Sequence, residues 1–263
     1  MINIKNYLFV KDPLEKPPKG ALLINYLIIG TVLLLLTIRG FNALDYKLRW
    51  DNVWRYKDSL LSGFYVTILM SIISLIISIL LGLFFGVARG SRLLPLRALS
   101  RIYIEIIRGT PLLVQILIFF YVVANSLGIN NRYVAGVIIM SLFSGAYIAE
   151  IIRAGIDNVG ATQRETAKAI GLSRWKTYRH IIFPQVITGV LPPLSGQLAS
   201  LIKDSSLLSI IAIKEFTMAS REINANTFST IESYIPLAVG YLMLTIPISL
   251  LTGRLERRYK YET

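Results

Sequence analysis

Cysteine is absent from all 263 residues, which excludes a disulfide framework, a thiolate metal site and a cysteine nucleophile. Histidine occurs once, at His180, too few for a multi-histidine metal centre, so no metal site is expected. No Gly-x-x-x-x-Gly-Lys-Ser/Thr loop occurs, so the chain has no ATPase site of that kind. Charge is also scarce: 16% of residues are charged against 54% hydrophobic, and the mean hydropathy is +0.59. That is more apolar surface than a soluble domain of this length needs for a core, and it makes a bilayer the expected solvent. A net charge of +13 would fit a nucleic-acid binder, but Lys and Arg form no single stripe or tail. They cluster between apolar runs, so nucleic acid is not an expected partner.

Crossing the hydrocarbon core takes about 20 apolar residues. Six such runs are present, roughly Ala21 to Ile38, Gly63 to Val87, Ile102 to Val123, Tyr133 to Ile152, Val190 to Ile213 and Ser233 to Leu251. None alternates with period two, and an open strand edge in lipid would leave backbone groups unpaired, so all are expected to be helices. The expected fold class is therefore all-α and polytopic. The first run begins after a charged, proline-bearing lead (Lys11 to Lys19) and is long enough to remain as an anchor rather than a cleaved signal. It carries no charge between Gly20 and Arg39 and has little to offer a solute.

The basic residues set the orientation. Lys5, Lys11, Lys16 and Lys19 precede the first span; Arg89, Arg92, Arg97 and Arg101 follow the second; Arg153, Arg164, Lys168, Arg174, Lys176 and Arg179 follow the fourth; Arg254, Arg257, Arg258 and Lys260 close the chain. These eighteen share one side, and eight (Arg39, Lys47, Arg49, Arg55, Lys57, Arg132, Lys214 and Arg221) share the other. The bias predicts both termini in the cytoplasm. Between the first two spans, Asp45 to Ser59 holds Trp50, Trp54 and Tyr56 beside basic residues, the composition of a segment at the outer interface.

The longest connection on the basic side, about 158–184, reads as structured. Glu165 to Leu172 mixes helix formers with small residues, Gly171 suits a helix-ending cap, and Ser173 can start a second helix carrying Trp175, Tyr178 and Ile182. Two short helices about a glycine turn would make a knob projecting from the membrane.

Here the chain resembles the inner-membrane permeases of binding-protein-dependent ABC importers. Their signature is Glu-Ala-Ala, three residues, Gly, nine residues, Ile, one residue, Leu-Pro. Glu165, Thr166 and Ala167 are followed by Gly171, Ile181, Phe183 and Pro184 at the same spacing. Thr166 and Phe183 depart from it but keep approximate size or hydrophobicity. Three further stretches, Arg108 to Gln115, Tyr147 to Arg153 and Lys203 to Leu207, are similar to segments of the polar amino acid uptake branch (histidine, glutamine and arginine permease-like). The resemblance covers about Leu61 to Tyr259; members often have five spans.

The resemblance implies a type I ABC importer permease fold, with 1–58 as lead, extra span and outer interfacial segment, 59–257 as permease domain and 258–263 as tail. It implies a multi-pass subunit of a prokaryotic cytoplasmic membrane that moves a polar amino acid and is not itself an enzyme. Its partners would be an ABC ATPase subunit carrying ATP and Mg2+, a second permease copy or paralogue, and an extracytoplasmic amino-acid-binding protein, with no cofactor on this chain. The loop would be the coupling helix, with Arg164, Glu165, Thr166, Ala167, Gly171 and Leu172 meeting the ATPase. A small Ala167 would permit close approach, and Arg164 and Glu165 would fix register.

An ionisable residue inside a span costs about 3 kcal/mol and needs a partner or a wet path. Glu105 with Arg108, and Glu150 with Arg153, are three apart and are expected to form local pairs. Lys203 and Asp204 are adjacent in the fifth span, do not face each other, and must look to other helices. With Gln197, Ser200, Ser205, Ser206 and Ser209 they make this span the least lipid-like, lining either a partner permease or a transient aqueous cavity. Lys203 and Asp204 would act either as contacts for a zwitterionic amino acid or as a gate or interhelical network. Other classes fit less well: a secondary transporter should show inverted repeats with broken helices, and a membrane enzyme needs a nucleophile with a base or a metal cluster. An ABC permease for a sugar, peptide or ion stays open except for the three stretches.

Overall fold

The computed structural model describes residues 18–43 and 46–259, without the side chains of 41–43, 161, 164 and 256–259. The lead before Pro18, the Arg164 side chain, Lys260 and the rest of the tail lie outside the described residues. The chain divides into two compact units, one ending at Leu48 and one beginning at Arg49. The smaller unit contributes α1 (Lys19–Ala43), whose apolar stretch Lys19–Gly40 is long enough to cross a membrane. Thr31 and Thr37 return their hydroxyls to the carbonyls of Leu27 and Leu33, which removes their polarity from an otherwise aliphatic surface.

The larger unit runs α2 (Trp50–Arg55), α3 (Lys57–Ala88), α4 (Leu94–Gly109), α5 (Leu112–Ile118) with a π-helical continuation over Phe119–Ala124, α6 (Arg132–Asp157), α7 (Ala161–Ala169), α8 (Arg174–Thr177) with a π turn over Tyr178–Ile182, α9 (Phe183–Asp204) with a 3-10 turn over Ser205–Ile211, α10 (Phe216–Thr227) and α11 (Thr230–Tyr259). No strand occurs among the described residues. Five helical stretches can span a membrane, and the pair α4 and α5 makes a sixth crossing when taken together.

That sixth crossing departs from the expected continuous helix over Ile102 to Val123. The chain turns by 110° between α4 and α5. Thr110 is extended, at φ −123° and ψ 146°, because the ring of Pro111 clashes with a helical residue before it. Pro111 then heads α5, where its missing N–H costs nothing.

The helices α3 and α6 form the centre. Their contact is lined by small residues, as expected where no hydrophobic drive separates helix from lipid. Ser78 donates to the Ser141 carbonyl at 3.2 Å and Tyr103 of α4 donates to the Leu142 carbonyl at 2.6 Å. A Cβ on Gly82 would lie 2.3 Å from Cγ2 of Ile148, and one on Gly86 2.9 Å from the Ala149 carbonyl oxygen. Around this seam Ile116, Met140, Leu201, Leu208 and Ile213 are buried.

Segment 49–58, expected with the N-terminal part, packs in the larger unit. The Arg49 N–H donates to the Glu232 carboxylate and the Asn52 amide donates to Ser229 at 3.1 Å.

Candidate functional site

The sequence motif occupies a knob built by a helix-ending turn. The helix α7 stops at Ala169, and Gly171 takes φ +75°. The Leu172 N–H then donates to the Ala167 carbonyl at 2.9 Å and the Gly171 N–H to that of Lys168 at 3.0 Å, the two bonds of a Schellman cap. Any Cβ at Gly171 would strain this left-handed backbone. Ser173 caps the next helix by accepting from the Lys176 N–H at 3.4 Å, so the expected glycine turn and serine start are both present. The second helix is not a separate short one: α8 passes through the π turn Tyr178–Ile182 directly into α9. Pro184 sits in the first turn of α9, where a proline is tolerated.

Glu165, Thr166 and Lys168 are exposed on α7, and Thr166 returns its hydroxyl to the Thr162 carbonyl. Ala167 is fully buried within the chain, so its small side chain serves internal packing and does not face outward, contrary to the close-approach role expected of it. Leu172 is half-buried. The exposed apolar groups of the knob are instead Ile170 and Trp175, at 68% and 72% exposure, with Tyr178 and Phe183 beside them. Gln185 of α9 donates to Gln163 of α7 at 2.5 Å, tying the knob to the span.

At the knob-facing end of the bundle one carboxylate gathers three guanidinium groups. Glu150 of α6 accepts from Arg89 at the end of α3 at 2.8 Å and from Arg153, one turn on, at 2.7 Å; Arg108 at the end of α4 approaches to 3.4 Å. Arg108 also lies over the Tyr147 ring, 5.6 Å from its centre, and Arg153 reaches on to Asp157. The expected Glu150–Arg153 pair is therefore present. The expected Glu105–Arg108 pair is not: Glu105 accepts from Arg101 at 2.7 Å on the exposed face of α4, and Arg108 turns to Glu150, whose carboxylate is more sheltered. Three helices are thus joined by one acid with an excess of positive charge.

Lys203 and Asp204 close α9, immediately before the 3-10 turn, within the apolar stretch Arg174–Ile211 that is long enough to cross a membrane. Lys203 is exposed, Asp204 is half-buried, and neither forms an ion pair or side-chain hydrogen bond among the described residues. Ser205 is buried and returns its hydroxyl to the Ile202 carbonyl at 2.7 Å; Ser206 is half-buried. One turn and a half back, Gln197 donates to Ser144 of α6 at 3.3 Å. Gln197 and the Ser205 to Ser206 pair thus flank the two free charges, while Glu105 and Arg108 lie on another helix with other partners.

Sequence reasoning missed a second polar cluster. Glu215 is fully buried and caps α10, accepting from the Thr217 and Met218 N–H groups at 2.8 and 2.7 Å. Tyr241 of α11 donates to it at 3.2 Å and lies 3.0 Å from the Thr217 hydroxyl. Burial pushes the Glu215 carboxyl above the usual glutamate range, against the opposing pull of those hydrogen bonds. An acidic residue directly before an amphipathic helix was the available signal for the cap.

No cluster of three metal-ligating side chains occurs among the described residues. The profile of the binding-protein-dependent transport system inner membrane component family matches residues 78–261. This chain belongs to that family. Among similar curated proteins, the glutamine transport system permease protein of Escherichia coli K12 is 36% identical over 80% of this chain and 97% of its own length. The L-cystine transport system permease protein of Bacillus subtilis is 39% identical over 80% of this chain and 90% of its own. A solved amino acid ABC transporter with histidines superposes with a TM-score of 0.75 at 33% identity, over 81% of this chain and all of that one. The methionine transporter MetNI, at a TM-score of 0.62 and 16% identity, shares the fold. The chain is thus a multi-pass inner-membrane permease of the type I ABC importer fold, a transport subunit whose family works with binding-protein and ATPase partners.

Proposed function

We propose that this permease carries a polar amino acid inward, with both termini cytoplasmic. In the assembly it pairs with a second copy or a paralogue, sits on two ATPase subunits that hold ATP and Mg2+, and receives solute from an extracytoplasmic binding protein. The chain itself holds no cofactor. The observation that carries the reading is the Schellman-capped knob, which displays Ile170 and Trp175 outward while Gln163 and Gln185 fasten it to α9. Exposed apolar groups on a stiff, charged projection suit a groove on a partner protein, and the glutamine and cystine permeases among its relatives support an amino-acid cargo.

In this reading, nucleotide-driven closure of the ATPase pair draws the two knobs together, and the movement passes through α8 into α9. Residues Arg164, Glu165, Thr166, Gly171 and Leu172 form or shape the docking face, with Ala167 packed beneath it. Lys203 and Asp204, with Gln197, Ser205 and Ser206, line the path or gate it. Glu105 and Arg108 belong to the inner end, where the Glu150 cluster must rearrange for the bundle to open.

Proteoliposomes containing the permease with its ATPase, supplied with binding proteins preloaded with single polar amino acids, test the proposal through ATP hydrolysis and uptake. Stimulation by one or a few amino acids is expected. Basal hydrolysis in an intact complex that no amino acid stimulates would reassign the cargo to another class of solute.

A further inference from the structure

We propose that a groove between α2, α3 and α11 is a binding site for one acyl chain of phosphatidylethanolamine, whose headgroup lies between Asp51 and Lys57. The groove has a volume of about 820 Å3 and is walled by Trp54, Leu61, Phe64, Val239 and Met243. Its floor is Phe216 of α10, which fills the place where a Cβ of Gly240 would stand, 2.3 Å away. None of these walls belongs to the knob, the Glu150 cluster or the Lys203–Asp204 pair.

Its dimensions match one leaflet. Along α3 it extends from Lys57 to Phe64, and along α11 from Pro236 to Met243, in each case roughly 10 Å at 1.5 Å per residue. That depth fits inside the half-thickness of about 15 Å of a hydrocarbon core. The polar end is an interfacial segment: Trp50 and Trp54 are exposed on α2, the position such rings take at headgroup level.

The mouth selects the headgroup. Asp51, in the first turn of α2, and Lys57, opening α3, both line the groove. Neither forms an ion pair among the described residues; the Lys57 ammonium lies over the Trp54 ring at 5.3 Å from its centre. A cation and an anion that both line the groove and do not pair with each other complement a phosphate and a primary ammonium on one molecule. An anionic headgroup would meet Asp51 with like charge, and a choline headgroup offers no N–H to it. A helix from another protein fits less well, because membrane helices dock through small residues, and this surface offers Trp, Leu, Phe, Val and Met, with Gly240 already covered by Phe216.

Native mass spectrometry of the full-length chain, purified in detergent and equilibrated with equimolar phosphatidylethanolamine, phosphatidylglycerol and phosphatidylcholine, tests the site. One bound phosphatidylethanolamine is expected. Lys57→Ala and Asp51→Asn should each lower the bound fraction about fivefold, as loss of one headgroup contact at a membrane surface does. Leu61→Trp, at a position 65% exposed, should abolish retention while leaving the melting temperature of the delipidated protein unchanged. The proposal is overturned if no phospholipid is retained, if phosphatidylglycerol or phosphatidylcholine binds as well as phosphatidylethanolamine, or if all three variants retain lipid like the parent. Since the chain has no cysteine, an Ile29→Cys/Leu61→Cys pair adds a control. Quantitative disulfide formation in native membranes would show α1 filling the groove and overturn the lipid.

Discussion

Arg89 at the end of α3 and Glu150 near the end of α6 meet at 2.8 Å, although 61 residues separate them, and their contact joins the two central helices at the end that bears the knob. Arg108 and Arg153 share the same carboxylate. Glu150→Gln would leave Arg89 and Arg108 without their counter-charge and Arg153 with Asp157 alone. A loss of about 2 kcal/mol is expected, less than for a fully buried pair because a fifth of the side chain is exposed. In detergent this should lower Tm by about 5 °C, and Arg89→Ala should lower it less, since Glu150 keeps two partners. An unchanged Tm for Glu150→Gln would show that the cluster does not hold the helices together.

The seam between α3 and α6 has no room for a methyl group at Gly82. Gly82→Ala would press a Cβ against Ile148, and overpacking of this kind costs about 1–3 kcal/mol. Ile148→Ala in the same chain should return part of that loss. A denaturant or thermal series on the two single variants and the double variant measures the coupling; strict additivity would mean the helices simply move apart.

Glu215 predicts a pH dependence with a definite sign. Its carboxyl is raised above the ordinary value of 4.5 by burial, so the folded protein holds this proton more tightly than the unfolded chain. The stabilisation from protonation is complete below the ordinary value. It is lost as pH rises through the raised one. Melting temperatures of the parent should fall over that window, and Glu215→Gln should flatten the slope. A slope identical in both proteins would assign the titration elsewhere.

Gly171→Val should force a β-branched residue into the left-handed conformation at φ +75° and unmake the Schellman cap. The spans should insert normally and basal ATP hydrolysis by the partner should persist, while uptake falls about tenfold or more, the scale of about 1.4 kcal/mol per decade. Trp175→Ala should act in the same direction through the exposed face. Full uptake in both variants would remove the knob from the coupling path.

Asp204→Asn removes a half-buried charge that forms no ion pair or side-chain hydrogen bond among the described residues. Uptake should change while the ATPase still co-purifies. An uptake profile identical to the parent's would make Asp204 a bystander.

Much of this architecture was legible in the sequence because hydropathy and helix length are set by the bilayer. The knob was legible because a glycine at a fixed distance from Glu165 leaves few ways to end a helix. The bend at Thr110 was missed because Ile102 to Val123 was read as one apolar run, although Arg108, Gly109, Thr110 and Pro111 interrupt it. The partner of Arg108 could not be read, since Arg101 and Arg108 are both within one turn of Glu105 and the choice is made by Glu150 on another helix. Glu215 and Tyr241 are 26 residues apart, and nothing local announces that they touch. The burial of Ala167 is likewise a tertiary fact, invisible in a motif that only records spacing.

The π turn at Tyr178–Ile182 joins α8 to α9 with no intervening loop, so helical backbone runs from Arg174 to the pair of charges at Lys203 and Asp204. At 1.5 Å per residue this is a shaft of about 45 Å, with the proposed docking face at one end and Lys203 and Asp204 at the other. A shaft yields at its weakest section. Pro192 and Pro193 stand inside α9, and two successive residues there have no N–H for the helical ladder. In the proposed coupling, a push on the knob would be carried by the helix below Pro192 and taken up as bending at the two prolines, which would set the height along α9 at which the stroke is spent.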